Sequence, residues 1–321
     1  MTELPAPDSV LVDVDGHRLR LTSLDKVIYP DGRTTKGEVL AYVAAVASAI
    51  LPQLRDRPVT RVRWPHGTGG VSFFEKNTPG GTPHWIRRVT IDSHSRRSDE
   101  ESVTYPVLDD LAGLTWVTNL SALELHVPQW RVDPHGVPLP PDRLVVDLDP
   151  GAPAGLPECA RVALLVREVL AEVAPGPSVP VTSGSKGIQL YAVSPSDEPD
   201  ANRQIAERLA ERLEAAHPEL VVARMTTSLR RGKVFLDWSQ NTRAKTTICP
   251  YSLRGKGLRA RVAAPRSWEE IEAGADGDDI DQLTPDEVVA RLGQSGDLMS
   301  VLPDPPFAGS PRHSSGPHER R

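Results

Sequence analysis

The chain has little cysteine: 2 in 321 residues, Cys159 and Cys249, far apart in sequence. That excludes a disulfide framework and a zinc site of clustered thiols, and it fits a reducing compartment. No apolar run is long enough to span a bilayer, so no membrane partner is expected. Residues 1–10 lack a basic segment followed by an apolar stretch, so no secretory signal is expected and a cytoplasmic location is the default. Phenylalanine is scarce, with 4 in the chain, and Phe73 and Phe74 are adjacent. There is no internal repeat. Nor is there a strong charge of one sign: the net charge is −6, which by itself speaks weakly against a polyanion partner.

What is present is enough chain to bury a substantial core without covalent staples. Residues 1–302 read as a single domain, and residues 303–321, rich in Pro, Ser, Gly, His and Arg, read as a disordered tail. Apolar spacing predicts helices over residues 35–54, 108–119 (with continuation toward 123), 157–173, 200–216 and 285–292. Strands are predicted over 58–64, 71–75, 143–149, 179–182, 188–193 and 233–237. This alternation points to a mixed α/β (α+β) domain with central mixed sheets flanked by helices.

Charge is unevenly placed. From Arg224 to Arg261 the bases are Arg224, Arg230, Arg231, Lys233, Arg243, Lys245, Arg254, Lys256, Arg259 and Arg261, and the only acid is Asp237. Such a strip can bind phosphates on an acidic protein, because salt screens the distant charges. A solvated basic face is the equal alternative.

Five segments carry candidate chemistry. Asp147 and Asp149 lie two apart at the end of the apolar run from Leu144, so on a strand both carboxylates share one face. Oxygen ligands paired this way suit Mg²⁺ or Mn²⁺, although a solvent-facing strand end would look the same. Asp237 ends a second apolar run, and three carboxylates from two strands could hold two ions for an in-line phosphoryl displacement. The loop Thr182-Ser183-Gly184-Ser185-Lys186-Gly187 has small residues and one cation, able to cradle a phosphate chain through its N–H groups. Its spacing is not that of a Walker motif, and a plain Gly-rich hairpin is the commoner explanation. Phe73 and Phe74 point to opposite faces of a strand. Pattern alone favours at least one ring in the core, while an exposed ring could stack on a base. Lys26 and Lys36 could converge on a terminal phosphate, or be ordinary surface lysines.

Taken in order, these segments resemble one family across nearly the whole folded region: the polymerase domain of bacterial ligase D, in the archaeo-eukaryotic primase superfamily. The resemblance is to a stand-alone form without ligase or nuclease modules. It rests on Leu24-Asp25-Lys26-Val27-Ile28-Tyr29-Pro30, Phe73-Phe74-Glu75-Lys76-Asn77, Leu123-Glu124-Leu125-His126-Val127-Pro128-Gln129-Trp130, Asp147-Leu148-Asp149-Pro150, Ser183-Gly184-Ser185-Lys186-Gly187, Asp237-Trp238-Ser239-Gln240-Asn241 and Pro250-Tyr251-Ser252-Leu253-Arg254.

The resemblance implies roles. Asp147, Asp149 and Asp237 match a triad binding two Mn²⁺ or Mg²⁺ ions, and family members typically use Mn²⁺ and often prefer ribonucleotides. His126, Ser183, Lys186 and Arg254 match positions that hold a nucleoside triphosphate, and Gln189 stands where the family usually has His. A neutral amide donates a weaker hydrogen bond than a cation, so weaker nucleotide binding is expected. Lys26 and Lys36 match a pair gripping the 5′-phosphate at a DNA gap or broken end, with Ser23 where the family often has Asn. Phe73 and Phe74 match aromatics that stack on template bases, Arg230 a loop arginine positioning the primer end, and residues 93–102, with Arg96 and Arg97, a loop that pairs two ends. A Ku-like end-binding protein and a separate ligase are the implied partners, on DNA in the nucleoid. Three other activities compete: a primase starting chains without a primer, a non-catalytic DNA-end-binding module, and a two-metal nuclease.

Overall fold

The computed structural model describes residues 9–92 and 102–303. Ten strands make its two main sheets: β1 (Thr60–Arg63), β2 (Phe73–Glu75), β3 (Ala122–Val127), β4 (Arg143–Pro150), β5 (Ser178–Thr182), β6 (Ile188–Val193), β7 (Val221–Val222), β8 (Val234–Asp237), β9 (Thr247–Ile248) and β10 (Ala264–Pro265). The larger sheet runs β7-β8-β4-β6-β5-β10 and the smaller β9-β3-β1-β2. Pairing is antiparallel throughout except between β7 and β8. The helices are α1 (Lys36–Ala45), α2 (Ala47–Leu54), α3 (Leu111–Asn119), α4 (Leu156–Val173), α5 (Ala201–Ala216), α6 (Trp268–Asp276) and α7 (Pro285–Ser295).

Strand β4 explains the layering. Leu144, Val146 and Leu148 are fully buried and pack with Val162, Val166 and Leu209 of α4 and α5. Val145, on the opposite face, belongs to the other large core, with Tyr191, Leu123 and Leu125 between the two sheets. A period of two sends even-numbered residues to the helix layer and odd-numbered residues to the space between sheets. Asp147 and Asp149 are the odd-numbered residues at its end.

Local signals account for the helix ends. Thr35 caps α1 in a reciprocal capping box with Glu38, and Thr284 caps α7 with Glu287 behind Pro285. The run expected as one helix over 35–54 is two, α1 and α2, meeting at 78° about the fully buried Val46. The apolar period continues through the break, so spacing does not reveal it. Continuation of α3 toward residue 123 is also corrected: Ser121 has φ 62°, and Leu123 lies in β3. Among the described residues no single helix is long and apolar enough to cross a membrane.

Among the elements missed are the central strand β3, two hairpins and a helix. The hairpin Ser9–Val14 to His17–Thr22 turns at Asp15-Gly16, both at positive φ, which is a strong two-residue hairpin signal. A second hairpin pairs Arg88–Asp92 with Ser102–Pro106. Helix α6 starts from a capping box between Ser267 and Glu270, readable as Ser-x-x-Glu. The end-pairing loop expected at 93–102 falls outside the described residues except for Ser102, which closes the second hairpin, and the tail from 304 also falls outside them.

Candidate active site

At one end of the space between the sheets is a cavity of about 220 Å³. Its lining includes Asp147 and Asp149 from β4, Gln189 from β6, His126 from β3, Ser183 and Lys186 from the β5–β6 loop, and Arg254. Sequence segments more than a hundred residues apart thus bring these expected residues to one wall.

Antiparallel pairing sets Asp147 opposite Asp237 on one side and opposite Gln189 on the other. Burial, then the carboxylates of Asp149 and Asp237, push the Asp147 carboxyl up to about 7; a hydrogen bond from Gln189 and the charge of Arg254 oppose the rise. Lys186 Nζ lies 3.7 Å from Asp149 Oδ1. Asp237 is held by donors of its own strand end: the Ser239 N–H at 3.1 Å and the Gln240 side-chain amide at 2.7 Å. Lys245 Nζ is 3.8 Å from Asp237 Oδ2. Among the described residues no three carboxylate, thiol or imidazole groups already form an ion cage. The donor chemistry nevertheless fits a hard divalent cation, because carboxylate oxygens surround a carboxyl that its neighbours drive toward protonation.

The phosphate loop differs from its expected form. Its amides face inward: the Gly184 N–H donates to Gln282 Oε1 at 2.6 Å, and those of Ser185 and Gly187 donate to Ser183 Oγ at 3.3 and 3.2 Å. The loop therefore presents the Lys186 and Ser185 side chains rather than a row of N–H groups, and both are exposed. Glycine is required at both hinges. A Cβ on Gly187 would stand 2.2 Å from the Leu148 carbonyl oxygen, and one on Gly184, at φ +69°, would stand 2.4 Å from Arg254 Cγ.

Lys26 and Lys36 do converge. The hairpin Val27–Tyr29 to Thr34–Thr35 brings them together, with the Lys36 N–H donating to the Lys26 carbonyl at 2.8 Å. Lys36 Nζ donates to the Thr22 carbonyl at 2.7 Å, and Lys26 Nζ to that of Pro65. Burial, then the charge of Lys26, lowers Lys36 to about 8. Ser23 adopts φ 52°, a left-handed conformation that Asn tolerates better than Ser.

Phe73 and Phe74 are 47% and 61% exposed, so the expectation of a core ring is corrected. They sit on β2, an edge strand held by Arg61 and Arg63 through Glu75. Arg230 is not in the cavity lining. Its guanidinium stacks 3.6 Å over the Phe235 ring and donates to the Met225 carbonyl at 2.9 Å. Nor does the basic strip form one face, since Arg224, Arg254 and Arg261 pair with Glu214, Glu124 and Asp281 elsewhere in the chain.

Gln240, Thr247 and Lys256 of the lining, and Glu124 and Gln282, which bond to His126 and to the phosphate loop, carried no assigned role in the sequence. Only Glu124 had a usable signal, its position two before His126 on a strand, which puts both side chains on one face.

Comparison with known proteins agrees with this arrangement. The family model described as "LigD, primase-polymerase domain" matches residues 35–299. A multifunctional non-homologous end joining protein LigD of Mycobacterium bovis is 46% identical over 293 residues, 89% of this chain and 37% of that protein. A bifunctional non-homologous end joining protein LigD of Bacillus subtilis is 34% identical over 286 residues, 87% of this chain and 43% of that one. The chain thus spans well under half the length of these relatives. The solved polymerase domain of Mycobacterium tuberculosis ligase D, in complex with DNA, superposes with TM-score 0.82 at 45% identity, covering 89% of this chain and 98% of that one. With the match running through both sheets and the cavity wall, the chain belongs to the LigD primase-polymerase domain family.

Proposed function

We propose that this protein is a template-dependent nucleotidyltransferase that extends primer 3′ ends at gaps or broken ends of DNA. The observation that carries the reading is a single cavity lined by Asp147, Asp149 and two cations, Lys186 and Arg254, with Asp237, outside that lining, paired to Asp147 on the neighbouring strand. The names of its relatives, end-joining proteins and a DNA-bound polymerase domain, support a setting of DNA end joining, which would place the work in the cytoplasm at the nucleoid. A Ku-like end-binding protein and a ligase activity would work with it.

Asp147, Asp149 and Asp237 would hold two divalent ions, Mn²⁺ or Mg²⁺, which when bound neutralise the triphosphate and lower the pKa of the primer hydroxyl. Lys186 and Arg254 bring positive charge to the triphosphate, Ser183 shapes the loop beneath it, and Gln189 adds a neutral donor. His126 borders the nucleotide. Catalysis on this wall is positioning and charge stabilisation, with no side-chain nucleophile. Phe73 and Phe74 offer bare rings to template bases, and Arg230 lies on the loop expected to meet the primer end.

Lys26 and Lys36 form the 5′-phosphate site. Two adjacent cations, of which Lys36 is lowered by burial and then by the charge of Lys26, gain from an anion between them. On a gapped duplex a 5′-phosphate is expected to stimulate extension, and Lys26→Ala with Lys36→Ala to remove that stimulation while extension of unphosphorylated gaps continues. Because Lys36 is charged below about 8 and neutral above, the stimulation should fade as pH rises through that value. Stimulation that persists in the double variant would move the phosphate elsewhere. The same assay, with ribo- and deoxyribonucleotides and with Mn²⁺ and Mg²⁺, tests the reading as a whole. Product without a primer would indicate a primase, and binding without synthesis an end-binding module.

Gln282 gives a second expectation. Its buried amide ties Gly184 and Gly187 together from the α7 side of the fold. Gln282→Ala should raise the nucleotide KM by roughly tenfold, since a buried hydrogen bond contributes about 0.5–1.5 kcal/mol and leaving its partner unmade costs more. Thermal unfolding of the variant separates this from global loss, and an unchanged KM would assign the loop's shape to Ser183 alone.

A further inference from the structure

Glu124 is 3% exposed, and both its oxygens are committed. Oε2 accepts from His126 Nε2 at 2.8 Å and lies 3.6 Å from an Arg254 guanidinium nitrogen. Oε1 accepts the Gly255 N–H at 3.0 Å. The chain beyond Arg254 has no freedom to drift: a Cβ on Gly255 would stand 2.2 Å from the Trp64 ring, and the Tyr29 hydroxyl donates to the Arg254 carbonyl at 2.8 Å.

A buried carboxylate is costly unless paired, and pairing for stability alone could use any cation. Here one partner, His126, sits two residues along the strand and the other, Arg254, comes from a distant segment, yet both line the same cavity. The pairing also has a chemical consequence. A neutral imidazole has one N–H and one acceptor nitrogen. With Nε2–H given to the carboxylate, Nδ1 is the acceptor, so the carboxylate decides which nitrogen of His126 offers a lone pair.

We propose that Glu124 is a positioning residue for the incoming nucleotide: it holds His126 as the Nε2–H tautomer and holds Arg254 against the cavity wall, so that the two act as one unit. Burial alone would raise the Glu124 carboxyl, but the His126 hydrogen bond and the Arg254 charge outweigh it and keep the group below the usual carboxylate range. Glu124 is therefore ionised at neutral pH, as the arrangement requires. The inference rests on the nucleotidyltransferase reading for its ligand, but its tautomer can be measured without one.

The first test is the ¹⁵N spectrum of the histidine rings in the whole protein, with His126→Asn assigning the resonance. The expected wild-type result is a protonated Nε2 and a bare Nδ1 on His126, and Glu124→Gln should shift the ring toward a tautomer mixture. A His126 protonated on Nδ1 in the wild type would overturn the proposal, even if no variant folds. The second test is steady-state extension. Glu124→Gln should raise the nucleotide KM by roughly tenfold with kcat changed by no more than about twofold. Combined with His126→Asn it should add less than its single effect, because the two sites form one unit. Glu124→Asp, which keeps the charge on a shorter arm, should recover part of the KM. Additive effects, or an equal fall in kcat at unchanged KM, would reduce Glu124 to a fold-stabilising residue. A wild-type protein that makes no product would instead defeat the nucleotidyltransferase reading, leaving the tautomer result to stand separately.

Discussion

Asp147→Ala is expected to cut templated primer extension by about a thousandfold or more, with DNA binding unchanged or slightly tighter. Charge neutralisation of a transferring phosphoryl group by bound ions is worth several kcal/mol, and roughly each 1.4 kcal/mol is tenfold in rate. Asp147 is the centre of the acidic group: it faces Asp237 across one strand boundary and shares its face with Asp149. Removing it also removes a negative charge from a cleft that must admit a polyanion, which is why binding should not suffer. Asp237→Ala should act the same way, but with an added structural cost. Its carboxylate accepts from Ser239 and Gln240 and so caps the turn that follows β8. Extension rates and DNA-binding isotherms on the two variants, side by side, check both halves. Near-normal extension in either variant would remove that residue from the site.

Asp142→Asn is expected to lower stability by about 3–5 kcal/mol, the usual cost of breaking one side of a buried ion pair. Two arginines converge on this carboxylate. The fully buried Arg57 reaches it through both terminal nitrogens at 2.8 and 2.5 Å, and Arg131 Nε donates at 3.0 Å. Asparagine keeps the shape but leaves the cations without an anion. Set against a typical total of about 5–15 kcal/mol, that is a large share. Burial would by itself raise the Asp142 carboxyl, but Arg57, Arg143 and Arg131 outweigh it and hold it below the ordinary carboxylate value. Its folded pKa is thus depressed. The stability it adds is full above the unfolded value, about 3.9, and is lost as pH falls through the folded value. Urea unfolding from pH 7 down to pH 3 should show wild type and Asp142→Asn converging at the acid end. A constant gap across that range would place the effect in packing instead of charge.

How far the sequence could be read depended on the range of the interaction. Short apolar runs in 143–149 and 188–193 and period-3.6 spacing in 157–173 were enough for β4, β6 and α4, because the signal in each is local. The acids were legible for the same reason: they interrupt an apolar strand. The break at Val46 was not legible, since apolar spacing is the same in one helix and in two that bend around a core. The orientation of Phe73 and Phe74 was not legible either. It depends on which strand lies at the sheet edge, and that is a property of the order β9-β3-β1-β2. Gln282 lay furthest out of reach. Its partners at Gly184 and Gly187 are nearly a hundred residues away, and glutamine in a loop carries no pattern. The departures at Gln189 and Ser23 gained physical content only in place: Gln189 donates to Asp147, and Ser23 sits at positive φ.

The two-faced strand β4 bears on how this chain tolerates change. A slip of one residue in its pairing would carry Asp147 and Asp149 into the leucine-rich helix layer and turn Leu148 toward the cleft. Two buried, unpaired carboxylates would make that misfolded register far less stable than the native one. The acids that serve the chemistry therefore also act as a ratchet during folding, allowing β4 to settle in one alignment. A single-residue insertion or deletion inside β4 should be lethal to structure and activity together, whereas the exposed turn at Asp15-Gly16 should accept one.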